Sequence, residues 1–297
     1  MEEVKGHKAY AADYIGFWAY AALQFLVCAL PIRAAYFIAD KAGDIMFAFS
    51  RKTRMTVEGN LRTALKADEA LIKKYTREIF RNFCRNLVEF LSFSKFDERW
   101  FKKHGETVGI ENIKKALNSG RGVVAISLHM GNWELGAYMT LLCGVPVNGI
   151  WASHKNPRIE EFFIKPRIEK GLKVILTGGA MKQALNALQS GELVCFVIDH
   201  SYSKSGIEVE FLGQKTIIPR GAAVAALKTN AAIFPVVAIR GKGMKHKLFY
   251  GEEIMYSLSG DEEKDIHEIT SKCAKTMERF IRENPGQWLL FRKYWSD

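Results

Sequence analysis

A histidine and a glutamate, His129 and Glu134, flank a short turn within the stretch VVAISLHMGNWELGAYMTLL, residues 123–142. On one continuous helix, side chains five positions apart would point about 140° away from each other and could not cooperate. Gly131 permits unusual backbone angles and Asn132 is a good N-cap, so we predict that a helix begins directly after Asn132. Glu134 then lies in the first helical turn, where the helix dipole favours its ionised form, and His129 lies at the end of the preceding strand.

The two residue types fit a general base and its orienting partner. A carboxylate that faces one imidazole nitrogen fixes the tautomer and leaves the other nitrogen able to accept a proton. No serine or cysteine occupies a sharp G-x-S-x-G turn, so the pattern favours direct transfer, in which His129 deprotonates a hydroxyl of a bound acceptor. A structural role for His129 and Glu134 is the alternative. His154 and His200 have no ligand spacing that would make this turn a metal site, and we expect no metal.

Three further residues are candidates for substrate binding, together with Asn132. Asp199 ends the apolar run LVCFVID, at the strand end where ligands of open sheets gather, although a buried carboxylate bonded to a loop amide would give the same sequence. Arg167 follows a proline in a predicted helix and could hold a phosphate or carboxylate in a bidentate fork; the alternative is a surface ion pair with Glu169 or Glu160.

Arg220 precedes the small-residue helix start GAAVAAL, so backbone N–H groups and its guanidinium are expected to converge on an anionic group. The segment IEVEFLG, residues 207–213, alternates in polarity, and we predict a strand that lines the cleft, with Glu208 or Glu210 near the site.

Composition restricts the classes of partner. The formal charge of +11 and the pI near 9.3 suggest an anionic partner: nucleic acid, an acidic membrane face, an acidic carrier protein or a phosphorylated substrate. Basic residues are scattered among apolar ones, so nucleic-acid binding is disfavoured. No G-x-G-x-x-G or G-x-x-x-x-G-K-[ST] motif supports a nucleotide cofactor, and we expect no cofactor. The 5 cysteines, far apart and without C-x-x-C spacing, suggest reduced core residues in a cytosolic compartment.

From residue 107 onward the sequence predicts an α/β fold. Uniformly apolar runs at 123–127, 173–177, 193–198 and 232–239 alternate with helical stretches at 111–118, 132–143, 157–169, 180–190 and 220–228. Such runs are too apolar to face water, which favours a mixed, mostly parallel sheet covered by helices on both faces. A last helix is expected to start with a capping box in which Ser259 pairs with Glu262.

The sequence of the N-terminal part predicts helices that associate with a membrane. The apolar run at 15–30 falls short of the roughly 20 residues that span a bilayer, so we expect a retained anchor, interfacial or barely spanning; the alternative is a buried first helix. A second helix at 33–50 precedes a basic patch at 51–66, and a long amphipathic helix follows at 68–96. We therefore divide the chain into anchoring helices, 1–50, and an α/β domain, 51–297.

The block SLHMGNWELGAY resembles the first motif of the late acyltransferases of lipid A biosynthesis, the lauroyl and myristoyl transferases of the HxxxxD/E superfamily. Further similar blocks follow the family order along nearly the whole chain: LPIRAAYFIADKAG, Asn60-Leu61, Glu89-Phe90, KNP at 155–157 with Arg167, IDH ending at His200, VEFLGQKT at 209–216 followed by Gly221, and PGQWLLFRKYW.

This resemblance implies an α/β acyltransferase that moves a fatty acyl group from an acyl-thioester, usually acyl carrier protein, to a hydroxyl of an acylated glucosamine lipid. It implies His129 as the general base and Glu134 as its orienting partner, working at the cytoplasmic face of the bacterial inner membrane.

One departure from the family pattern concerns the acceptor. Where the family often has tyrosine-arginine before the KNP-like block, this chain has Trp151-Ala152, so an arginine that would hold an acceptor phosphate is missing. Phosphatidylinositol mannosides, lysophospholipids or another hydroxylated glycolipid are therefore alternative acceptors, and acyl-CoA is the alternative donor. A non-catalytic lipid-binding relative is the alternative outside enzymes.

Overall fold

The computed structural model describes residues 2–153, 156–200 and 206–295, with side chains from residue 16 onward. His154 and the first residue of the KNP block, Lys155, therefore lie outside the described residues. The helices are α1 (Glu2–Ala29), α2 (Ile32–Phe49), α3 (Arg51–Leu65), α4 (Glu69–Leu91), α5 (Glu98–His104), α6 (Ile110–Asn118), α7 (Trp133–Leu142), α8 (Pro157–Glu169), α9 (Ala180–Gln189), α10 (Gly221–Thr229) and α11 (Glu262–Glu283).

The strands form one large sheet and one hairpin. They are β1 (Gly105–Val108), β2 (Val123–Ser127), β3 (Val147–Trp151), β4 (Lys173–Leu176), β5 (Leu193–Val197), β6 (Gly206–Phe211), β7 (Gln214–Pro219), β8 (Ala232–Arg240) and β9 (His246–Tyr250). The 7-stranded sheet has the order β1-β9-β8-β2-β5-β3-β4, and only the β8–β9 pair is antiparallel. β6 and β7 pair with each other. The predicted mixed, mostly parallel sheet is confirmed.

Helices cover both faces of this sheet, as predicted. Side chains alternate along β2, so Val124 and Ile126 pack with α9, α10 and α11, whereas Val123 and Ala125 face α6 and α7. All five residues of β2 are buried, which explains why its sequence is apolar throughout rather than alternating.

From residue 107 onward the predicted strands and helices are present with ends shifted by one or two residues, whereas the helix predicted at 68–96 already ends at Leu91. The elements α5, β1, β3, β7 and β9 were not predicted. β3 reads VNGIW, in which Asn148 and Gly149 interrupt the apolar run. The Asn148 amide is nevertheless buried, because it donates to the backbone oxygen of Leu193 at 2.9 Å and to Glu192 at 2.8 Å. Hydrogen bonds to a neighbouring strand thus make a polar residue acceptable in this sheet.

The capping box predicted for α11 is wrong. The N-cap is Asp261, whose side chain accepts from the backbone N–H groups of Glu263 and Lys264, each at 3.2 Å. Ser259 instead donates its hydroxyl and its backbone N–H to Asp265, both at 2.8 Å. An aspartate closer to the helix supplies the cap, and the serine fixes the loop before it.

The N-terminal helices lie on α4. Asp44 of α2 forms bidentate ion pairs with Arg77 and Arg81 of α4, and Asp40 forms another with Arg85. Within residues 2–153, 156–200 and 206–295, no helix combines the length and apolar character needed to cross a bilayer.

A buried ion pair ties α4 to the sheet. Glu89 of α4 is 0% exposed, and both of its carboxylate oxygens accept from the Arg240 guanidinium of β8. Tyr36 of α2 donates to the same carboxylate, and His246 of β9 lies 3.2 Å from it. Burial alone would raise the pKa of Glu89, but Arg240 and His246 hold it well below its usual range. The carboxylate is therefore charged and fully paired.

We predict that Arg240→Met destabilises the protein by about 3–5 kcal/mol, because it leaves the Glu89 charge buried without its main partner. The matched control is Arg121→Met, which breaks a bidentate Arg–Glu pair with Glu253 whose side chains are 38% and 27% exposed. That loss should stay within about 1 kcal/mol, since solvent screens partly exposed pairs. Urea denaturation measures both, and equal losses would contradict the buried pair's importance.

Candidate active site

The turn between β2 and α7 has the predicted construction. Gly131 has φ of +56°, and a Cβ at this position would collide with the carbonyl oxygen of Ala238, so only glycine fits. Asn132 caps α7, because its side-chain oxygen accepts from the backbone N–H of Leu135 at 3.0 Å. The helix begins at Trp133, as predicted.

His129 is oriented by Asp199. The Nδ1 atom of His129 lies 2.8 Å from Oδ1 of Asp199, and the backbone N–H of His129 donates to Oδ2 at 2.9 Å. Asp199 is 0% exposed and follows β5, the strand adjacent to β2 in the sheet. Asp199 is therefore a buried carboxylate bonded to a loop amide beside His129, and its part in substrate binding stays a prediction. It leaves Nε2 of His129 to meet a ligand.

The assignment of Glu134 as the orienting partner of His129 is corrected by this geometry. Within the described residues no hydrogen bond joins Glu134 to the His129 ring. Both Glu134 oxygens instead accept from Arg167, at 3.0 and 2.8 Å, and both side chains are buried. Parallel neighbouring strands end at the same edge, so Asp199 reaches His129, whereas the first turn of α7 directs Glu134 towards α8.

The charges of this site shift two pKa values. Burial opposes charging of the imidazole, but the charge and hydrogen bond of Asp199 outweigh it and raise the pKa of His129 above its ordinary value. Burial likewise opposes ionisation of Asp199, yet His129 and the indole N–H of Trp288 lower the pKa of Asp199 below its ordinary value. An ionised aspartate beside the imidazole stabilises the imidazolium that forms when Nε2 accepts a proton.

Arg167 is held on all sides. It is 3% exposed, its guanidinium lies 3.6 Å from the ring centroid of Trp151 and 4.8 Å from that of Phe90, and it also donates to the backbone oxygen of Phe163. The predicted bidentate fork is present, but its carboxylate is Glu134 of the protein, and the alternative of a surface ion pair is wrong. The tryptophan at 151, noted as a departure, is part of this packing.

The other two predicted binding residues do not line the site. Asn132 is 2% exposed, and its amide nitrogen donates to Glu89 at 2.6 Å, so it positions the turn. Arg220 donates to Glu263 of α11 at 2.6 Å, while its neighbours Pro219 and Gly221 line the cavity. The predicted convergence of Arg220 with the α10 start is therefore not observed.

A cavity of about 800 Å³ opens beside His129. Small residues of α7 and the sheet line it: Gly136 and Ala137 of α7, and Ala125, Gly149, Cys195 and Ala238 of the sheet. Protein interiors are normally packed to crystal density, so an apolar space of this size indicates a ligand site. Burial raises the pKa of the Cys195 thiol to about 12, which makes it an inert wall of the cavity.

The lining also extends to α1 and α8. Tyr20 of α1 and Phe163 of α8 both line the cavity, and their rings lie 5.6 Å apart. The hairpin strand β6 packs with α11, and none of its described residues lines the cavity, so the prediction that it lines the cleft is wrong. His200 does line it, with its ring 6.1 Å from that of His129.

No group of three or more His, Cys, Asp or Glu side chains within the described ranges is placed to hold a metal ion. Trp288 was not predicted to be a residue of this site, and it donates its indole N–H to Asp199 at 2.9 Å. The only signal was the similarity of PGQWLLFRKYW to a family block, which gave no role to an individual residue.

Several known acyltransferases are similar to this chain in sequence. A phosphatidylinositol mannoside acyltransferase from Mycolicibacterium smegmatis is 26% identical over 236 residues, covering 78% of this chain and 72% of that protein. A lipid A biosynthesis palmitoleoyltransferase from Escherichia coli is 24% identical over 276 residues, 92% of this chain and 88% of its own. A lipid A biosynthesis lauroyltransferase from Escherichia coli is 25% identical over 232 residues, 76% of this chain and 75% of its own.

The sequence family described as bacterial lipid A biosynthesis acyltransferase matches residues 5–297. This chain therefore belongs to the bacterial lipid A biosynthesis acyltransferase family, and it is an acyltransferase.

Proposed function

We propose that this acyltransferase moves a fatty acyl chain from acyl carrier protein to a hydroxyl of a lipid A precursor at the cytoplasmic face of a bacterial inner membrane. The observation that carries the proposal is the position of His129, which lines an apolar cavity of about 800 Å³ and is oriented by a buried carboxylate. The cavity accepts the acyl chain, and the histidine meets the acceptor hydroxyl where the chain ends.

In the proposed step, Nε2 of His129 accepts the proton of the acceptor hydroxyl while the oxygen attacks the carbonyl carbon of the thioester. The carbon–sulfur bond then breaks, and the imidazolium returns the proton to the departing thiolate. The products are the ester and the free thiol. Asp199 holds the imidazole by Nδ1 and stabilises its charged form, so the base is available in one orientation throughout.

Glu134 and Arg167 have a different part in this proposal. Their bidentate pair is buried, and it joins the first turn of α7 to α8, two elements that line the cavity. Because Glu134 also contributes to the raised pKa of His129, its charge adds to that of Asp199 at the base. The pair therefore stabilises the cavity wall and contributes to the electrostatic potential at the site, while His129 transfers the proton.

A second acceptor has specific support. A phosphatidylinositol mannoside acyltransferase is among the relatives, and this chain has Trp151-Ala152 where the lipid A enzymes often have tyrosine-arginine. The Trp151 ring stacks on Arg167, so this place offers an aromatic surface where the lipid A enzymes often have an arginine. An acylated mannoside is therefore the alternative acceptor, with acyl-CoA as the alternative donor.

We also propose that α1 and α2 rest on the membrane surface. Large apolar side chains point outward from both helices, including Trp18, Phe25 and Leu26 of α1 and Phe37 and Phe49 of α2, all more than half exposed. The basic patch at 51–66 follows directly, where each cation near an anionic surface adds about 1 kcal/mol. Since Tyr20 of α1 lines the cavity, a lipid substrate has a short path from the membrane to His129.

The catalytic test uses purified protein with acyl carrier protein donors and, in separate arms, a lipid A precursor and a phosphatidylinositol mannoside. Mass spectrometry identifies which acceptor gains an acyl chain. His129→Ala should lower the transfer rate at least about 100-fold, since a general base contributes about that much or more. His267→Ala, on the exposed side of α11, is the control and should keep the wild-type rate. Transfer by His129→Ala at the wild-type rate would refute the mechanism.

The placement of the acyl chain predicts a change in specificity. Ala137→Phe should shorten the chain that the cavity accepts, because Ala137 lines it from α7. The kcat/KM ratio of a long to a short acyl donor should fall at least about tenfold, since one methylene misplaced in an apolar pocket costs about 1–3 kcal/mol. Ala137→Ser adds one atom at the same position and serves as the control. Equal losses for all chain lengths would place the chain elsewhere.

The membrane surface is tested by vesicle flotation. Phe25 and Phe49 are 74% and 83% exposed, and the double variant Phe25→Glu, Phe49→Glu should no longer float with vesicles of phosphatidylethanolamine and phosphatidylglycerol. The control Met255→Glu, Leu258→Glu changes residues that are 71% and 65% exposed in the loop before α11, and it should float like the wild type. Unchanged flotation of the first variant would exclude α1 and α2 as the contact surface.

A further inference from the structure

The last described part of the chain, residues 285–295, is here called the C-terminal segment. Its backbone is hydrogen-bonded to the turn between β2 and α7. Trp288 forms an antiparallel bridge with Met130. The backbone N–H of Leu289 donates to the carbonyl oxygen of His129 at 2.8 Å, and that of Gly131 donates to the carbonyl oxygen of Gln287 at 3.0 Å. His129 and Gly131, the two neighbours of Met130, are thus both hydrogen-bonded to this segment.

The segment is itself fixed to two other parts of the fold. The side-chain amide of Gln287 accepts from the backbone N–H of Arg240 at 2.7 Å and donates to its carbonyl oxygen at 2.8 Å. Asn60 of α3 donates to the carbonyl oxygens of Leu290 and Arg292, at 3.3 and 2.6 Å, and accepts from the backbone N–H of Tyr294 at 3.1 Å. The position of the segment is therefore determined by the core.

Trp288 donates one hydrogen bond to Asp199, the residue that orients His129. Its indole N–H donates to Oδ2 of Asp199 at 2.9 Å, the oxygen that also accepts from the His129 backbone, while Oδ1 is the partner of the imidazole. Trp288 is 1% exposed, and its ring packs edge-on against Trp295 with centroids 6.2 Å apart. The indole cannot rotate away from the carboxylate without moving this aromatic cluster.

We propose that Trp288 is a positioning residue of the acyl-transfer site: its indole N–H holds the Asp199 carboxylate so that Oδ1 stays on Nδ1 of His129 and sets how basic the imidazole is. This inference rests on the proposed role of His129 as the base. It gives the C-terminal segment a part in the chemistry that the family resemblance and the relatives do not assign.

The sign of the effect follows from the charges. An indole donor takes up part of the negative charge of Asp199, so its removal leaves more charge on the carboxylate and favours the imidazolium. The pKa of His129 should then rise, and the acid limb of kcat/KM should move to higher pH, because only the neutral imidazole acts as a base. The other titratable and charged groups that face His129 or Asp199 stay unchanged in this substitution: Glu134, His200, Arg292 and Tyr294.

The test compares Trp288→Phe with Trp295→Phe. The control removes an indole N–H from the same aromatic cluster, one that makes no hydrogen bond among the described residues. The pKa of the His129 ring is measured by NMR in carbon-13-labelled protein without substrate, and kcat/KM is measured against pH. For Trp288→Phe we expect the pKa and the acid limb to rise by about 0.5–1 unit and kcat/KM to fall about tenfold at neutral pH. Trp295→Phe should leave both values as in the wild type.

An unchanged His129 pKa in Trp288→Phe, or the same shift in both variants, would overturn the proposal. Should Trp288→Phe not fold, the indole proton of Trp288 is followed in the wild type, where it must shift with the same midpoint as His129; a constant resonance would also overturn it. Because the NMR titration needs no turnover, absence of acyl transfer by the wild type would refute the proposed function alone.

Discussion

The buried carboxylate of Glu89, paired with Arg240, connects several elements of the fold. A carboxylate in the core must be paired and hydrogen-bonded. The partners of Glu89 come from different elements: Arg240 from β8, Tyr36 from α2 and Asn132 from the turn between β2 and α7. The hydrogen bonds to this one carboxylate therefore fix α2, the sheet and the N-cap of α7 relative to one another. The same Arg240 is clamped by Gln287 through its backbone, so the C-terminal segment is fixed to this centre as well.

The site separates two tasks between two charge pairs. His129 and Asp199 form the pair that transfers the proton in the proposed reaction, while Glu134 and Arg167 form a neutral, buried clamp between α7 and α8. A single glutamate could not do both, because each of its oxygens is occupied by Arg167. The division also separates the pKa effects: Asp199 acts on the imidazole through a hydrogen bond, and Glu134 acts only through its charge.

The apolar cavity results from small side chains at facing positions. Gly136 of α7 lies opposite Ala238, where an added Cβ would approach the Ala238 Cβ to 3.0 Å, so the helix and the sheet are in close contact at this point. Further along, Ala137, Ala125 and Cys195 leave the space unfilled. In a core of larger residues this volume would be occupied, and there would be no place for an acyl chain next to His129.

Local sequence patterns predicted most of the elements and the turn between β2 and α7. Apolar runs specified the buried strands, and Gly131 with Asn132 specified the start of α7, because backbone freedom and capping are local properties. The partners of the charged residues could not be predicted, since Asp199 and Trp288 lie 70 and 159 positions from His129 and meet it only when β2, β5 and the C-terminal segment assemble. The pairing of His129 with Asp199 and of Glu134 with Arg167 arises from the tertiary fold, because the order of strands in a sheet sets which side chains meet at its edge.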